Sequence, residues 1–137
     1  MSMYYAEVLL KRAREYLDSA RRNLGQGLYD VAGVEAEIAA QLSLKALIVR
    51  LGLESPRTHS IRRLLSRLRA LLGREAGIID EFTREYRDKL IILERTWGAG
   101  QYGLESLDEY EARVAVETAE KVLRLVERLW EAVEEGF

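Results

Sequence analysis

The stretch from Tyr29 to Ser60, YDVAGVEAEIAAQLSLKALIVRLGLESPRTHS, constrains the fold more than any other. Its first two thirds predict a helix. Val31, Val34, Ile38, Leu42 and Val49 recur at three- and four-residue spacings, and Ala32, Gly33, Ala36, Ala39, Ala40 and Ser43 keep its other sides small. A helix with several small faces can be approached closely from several directions, which places it at the centre of a bundle. Glu37, Gln41 and Lys45 stand four apart and form a polar line within mutual side-chain reach, either a stabilising seam or the floor of a site. The helix is expected to stop at Gly52, which takes the left-handed capping conformation readily, and Pro56 forbids continuation. Thr58 is then expected to cap the next helix, leaving His59 in its first turn.

Four more helices are predicted around it. The first, about Met3 to Leu24, turns Ala6, Leu9, Ala13, Tyr16, Leu17, Ala20 and Leu24 to one side, and the GQG connection at residues 25–27 forces an antiparallel return. The third, about His59 to Leu72, carries a leucine stripe. The fourth keeps helical spacing from Ile78 to about Trp97 and is expected to break at GAGQYG. A phosphate-cradling loop is rejected there, because the glycines lack a preceding strand. Ser106 and Glu109 read as a capping box for the fifth helix, which keeps one apolar face from Leu107 to Val133. Tyr4, Tyr5, Tyr16, Tyr86, Trp97 and Tyr110 fall at core-facing spacings, and Trp130 is placed either in the core or at an interface. The chain is therefore expected to fold as an all-α, up-and-down bundle of about five antiparallel helices, one domain over residues 1–137.

Composition narrows the chemistry. The absence of Cys removes disulfides, thiol nucleophiles and thiolate metal sites. With one His and no Glu-x-x-His pair, a bundle di-iron site has no ligand set, so neither metal nor cofactor is expected. No run approaches the length of a membrane span and the N-terminus lacks a leader pattern, so the expected location is cytoplasmic. Few amides beside abundant Arg and Glu give a thermophile-like composition. The net charge of −2 hides an asymmetry: six Arg and no acid lie between Ser55 and Arg74, whereas ten acids face four bases from Glu105 onward. Arg57, Arg62, Arg63 and Arg67 thus form a basic patch that either steers an anionic ligand or is paired and solvated charge.

The aromatic-acidic start, the alanine-rich helix ending in L-K-A, the glycine cap and the P-x-T-H punctuation before a leucine-rich helix resemble the HEPN family, the "higher eukaryotes and prokaryotes nucleotide-binding" domain. The residues that carry the resemblance are Tyr29, Asp30, Ala32, Ala39, Leu44, Lys45, Ala46, Gly52, Pro56, Thr58 and His59. Many members are ribonucleases with an Arg followed after four to six residues by a His near the end of the fourth helix. Arg95 matches that Arg, but Tyr102 stands where the His would be. A phenol with a reference pKa of about 10 can position a phosphate and is a poor proton shuttle near neutrality. The resemblance therefore implies a non-catalytic binding module. It is expected to form a homodimer, to bind a nucleotide or RNA, and to act beside a minimal nucleotidyltransferase in a toxin-antitoxin-like pair; the alternative is a ribonuclease with a degenerate site. No residue is assigned as catalytic. The candidate ligand-binding residues are Arg95, Trp97, Tyr102, Lys45 and His59.

Overall fold

The computed structural model describes residues 2–136, with side chains from Met3 onward. Five α-helices follow one another: α1 (Ser2–Gly25), α2 (Tyr29–Arg50), α3 (Ile61–Leu71), α4 (Ala76–Tyr102) and α5 (Glu109–Gly136), with a single 3-10 turn at Gly73–Glu75 between α3 and α4. The four long helices alternate in direction. Arg14 meets Glu127 and Arg21 meets Glu120, so α1 and α5 run antiparallel. Thr96 bonds Gly33 while Gly100 abuts Asp30, so α4 runs against α2.

α2 is central, as its small residues dictate. Ala32, Ala36, Ala39, Ala40 and Ala46 are fully buried, as are Leu44, Leu47 and Ile48. The buried side is the small side: Val34, Ile38 and Leu42 are only half-buried and Val31 is exposed, although spacing alone marked them as the core stripe. Bulky residues would have held neighbouring helices apart, whereas alanines admit them to close range.

The end of α2 follows its cap chemistry. Gly52 adopts φ 96°, and the Leu53 amide turns back to donate to the Ile48 carbonyl at 3.3 Å. The chain then returns along α2 as an irregular strap, residues 53–60, which brings His59 level with Gln41, about three helical turns back from Gly52. α3 starts from that height. Its N-cap is Ser60, whose hydroxyl accepts from the Arg63 amide at 3.2 Å, so His59 lies in the strap and not in the first helical turn; Thr58 Oγ1 accepts from the Ser60 amide instead.

Two further boundaries differ from the sequence expectation. α4 runs through GAGQYG to Tyr102, since Gly100 is needed within the helix where it crosses α2. The capping box of α5 is Asp108 with Glu111, two residues beyond the expected pair: the Glu111 amide donates to Asp108 Oδ1 at 2.8 Å and the Asp108 amide to Glu111 Oε1 at 3.2 Å. The shift has a tertiary cause. Asp30 Oδ1 accepts from the Leu107 amide at 2.8 Å, a bond from outside the helix, and the helix begins only at Glu109. Of the tyrosines expected inside, Tyr4, Tyr5, Tyr16 and Tyr110 are exposed and Tyr86 is half-buried, while Trp130 packs into the core.

Candidate functional site

The polar line of α2 becomes the wall of a cluster where α2, the strap and α4 meet. Glu37 is 1% exposed near the middle of the central helix. Its two carboxylate oxygens accept from the Gln41 amide nitrogen, Oε2 at 2.7 Å and Oε1 closer still. The Gln41 carbonyl in turn lies 3.0 Å from His59 Nδ1, and the His59 ring stacks on Trp97 with centroids 5.6 Å apart and planes 12° from parallel. A single amide thus links a buried carboxyl to an exposed imidazole. Burial pushes the Glu37 carboxyl up to about 7 against the opposing hydrogen bond from Gln41, with the charge of Glu94 adding to the rise and that of Lys45 reducing it. Lys45, half-buried on the same line, is lowered by its own desolvation, partly offset by Glu37.

Glu94 organises the next layer. Its Oε1 accepts from Ser60 Oγ at 3.0 Å and from the Arg62 amide at 2.7 Å, and its Oε2 accepts from Arg62 Nε at 3.0 Å. A carboxylate of α4 therefore occupies the positive end of α3, where unpaired amides and the helix dipole favour negative charge. No local pattern marks Glu94 in the sequence, because its partners lie 32 and 34 residues away.

The remaining candidates divide between two faces. Trp97 follows Arg95 by two residues, about 200° around the helix at 3.6 residues per turn. Trp97 accordingly turns to the strap while Arg95 faces solvent. Tyr102, two turns on from Arg95 and on nearly the same side, is 77% exposed. The structure thus joins His59, Trp97, Gln41, Glu37 and Lys45 in one cluster and leaves Arg95 and Tyr102 on an outer face. Arg57, Arg63 and Arg67 are exposed, and Arg62 turns to Glu94. Among the described residues no three acidic or imidazole side chains converge as metal ligands, and no helix is long and apolar enough to cross a membrane.

An all-α bundle whose polar side chains converge where a central alanine-rich helix, a P-x-T-H strap and the fourth helix meet defines a recognisable class of helical domain. The sequence matches the family described as the HEPN domain over residues 6–129, and the chain belongs to that family. Among solved structures, the crystal structure of TT1696 from Thermus thermophilus is similar over 90% of this chain and 96% of that one, at 26% identity and a TM-score of 0.73. No curated protein matches the chain in sequence.

Proposed function

We propose that the chain is a non-catalytic HEPN binding module that takes a nucleotide or RNA and works as a homodimer. The observation that carries this reading is the placement of the only histidine. His59 is held by Gln41 and stacked on Trp97, on the far side of α4 from Arg95, and position 102 offers an exposed phenol in place of an imidazole. Proton transfer to or from a ribose hydroxyl needs a group titrating near neutrality within hydrogen-bond reach of it. Glu37 titrates in that range, but its two oxygens are occupied by Gln41 and it is closed to solvent, which argues against a degenerate ribonuclease built on it. The purified chain, incubated with mixed-sequence RNA, is expected to leave it intact. Cleavage that Arg95→Ala abolished would overturn the reading.

Dimerisation is supported by one end of the bundle. Leu28, Val31, Tyr102, Leu104 and Tyr110 are all exposed there, from the start of α2, the end of α4 and the start of α5, beside the Asp30–Leu107 bond that joins these segments. Pairing through this corner would cover apolar surface and bring the Arg95 and Tyr102 faces of two copies toward a shared cleft. Light scattering at micromolar concentration should report twice the 15.7 kDa chain mass. A monomer would remove the composite cleft from the reading. The family resemblance supports a minimal nucleotidyltransferase as the partner, in a toxin-antitoxin-like pair, which co-purification with such an enzyme would test.

A further inference from the structure

A groove of about 630 Å³ runs between α3 and α4, and none of His59, Trp97 and Arg95 lines it. Arg62 and Arg69 line it from α3, with Arg84 and Arg87 facing them from α4. The folded chain thus regroups the arginines: only two of the four come from the acid-free run of the sequence. Leu65 and Ile79 lie between the rows, Ser66 and Thr83 add hydroxyls, and Asp80 is the one acid in the lining.

The two carboxylates nearby leave most of the donors unused. Glu94 takes Arg62 by Nε at 3.0 Å, and Asp80 takes Arg69 by Nε at 2.6 Å. Among the described residues, the terminal amino groups of both guanidinium ions make no hydrogen bond, and Arg84 and Arg87 make no ion pair. Each carboxylate therefore orients an arginine without occupying the fork that would grip an oxyanion. The two α3 arginines are seven residues apart, about 10 Å along the helix, enough for successive phosphates and too long for one. No aromatic side chain lines the groove, so it has no stacking surface for bases.

We infer that the α3–α4 groove binds a chain of consecutive phosphates, through its backbone charge and without regard to base. The inference takes its ligand class from the binding-module reading but places the contact on a surface which that reading does not use. The probe is fluorescently labelled 2′-O-methyl U12, which cannot be cleaved through its 2′ oxygen, so ribonuclease activity would overturn the module reading without disturbing this measurement. Arg84→Glu with Arg87→Glu is expected to weaken binding at least about tenfold at 100 mM salt, and to reduce the slope of log affinity against log salt by about 1.4, roughly 0.7 for each lost contact to a single strand. Arg12→Glu with Arg128→Glu makes the same charge change at exposed sites outside the groove and is expected to cost less than about twofold once steering is screened. Displacement of the probe by tripolyphosphate would show that a free phosphate chain suffices; failure to displace it, with the groove variant still impaired, would assign the groove to a phosphodiester backbone. Equal losses in the two variants, or no salt-dependent binding by the parent chain, would overturn the inference.

Discussion

α2 and α4 are held together in two unlike ways along one crossing. Toward the start of α2 the contact is dry and close. A Cβ on Gly100 would sit 2.8 Å from Val34 Cγ2 and 2.9 Å from the Asp30 carbonyl oxygen, and one on Gly33 would sit 2.6 Å from Leu107 Cδ1 and 3.1 Å from Thr96 Cβ. The Thr96 hydroxyl lies 2.9 Å from the Gly33 carbonyl and 2.6 Å from that of Leu93, so even its polar atom is used within the contact. Toward the middle of α2 the neighbours are Glu37, hydrogen-bonded by Gln41, then His59 bonded to Gln41, and Trp97 stacked on His59, around a carboxyl whose pKa burial raises to about 7. The first region is specified by volume, most sharply at Gly100, where an added Cβ would meet the backbone oxygen of Asp30. The second is specified by hydrogen bonds and a ring stack around a carboxyl whose pKa burial has raised.

The widest separation between the two comes from overfilling the dry region. Gly33→Val with Gly100→Val is expected to lower stability by about 5 kcal/mol, as overpacking costs up to about 3 kcal/mol at each site. Chemical denaturation would measure it, and a loss below about 1 kcal/mol would mean that the helices slide apart freely.

Much of this dry region was hidden from the sequence by a local rule. Glycine in a helix interior costs about 1 kcal/mol relative to alanine, so GAGQYG reads as a break. The tertiary contact at Gly100 outweighs that cost and carries α4 to Tyr102. The five helices and the central place of α2 were legible, because periodicity and residue size act over many positions at once. The Glu37–Gln41–Lys45 line was legible as a pattern, with its meaning left open. What joins it to His59 depends on the strap, and no spacing rule encodes a segment that returns three turns along its own helix. Glu94 and the arginine groove stayed hidden for the same reason, as both are made by residues distant in the chain.

The polar region should separate from the dry one by pH. The Glu37 carboxyl titrates near 4.5 when unfolded and near 7 when folded, so the folded chain holds the extra proton between those values. Its contribution is fully present below about pH 4.5 and is lost as pH rises through 7, a decline of up to about 3 kcal/mol at 1.36 kcal/mol per pKa unit. Unfolding measured from pH 4.5 to pH 8 should show this fall, and Glu37→Gln should flatten it. An unchanged slope in the variant would assign the pH dependence elsewhere. The smallest effect comes from Gly98, in the same helix turn as Gly100 but with open space around its Cβ. Gly98→Ala is expected to stabilise by about 0.5–1 kcal/mol. A loss there would show that α4 needs glycine for its backbone path and not only for room against α2.

The stacking of His59 on Trp97 makes the cluster optically addressable. The chain has two indoles, and they report on opposite halves of the molecule. Trp130 is enclosed near the end of α5, with its Nε1 donating to Glu134 Oε1 at 3.0 Å and the Arg50 guanidinium 6.0 Å from its ring centroid. Trp97 is half-buried against the imidazole of His59. With Trp130→Phe, the remaining emission becomes a built-in, label-free sensor of the strap, and any movement of His59 against Trp97 can be followed in the unlabelled chain as a change in the light from one side chain.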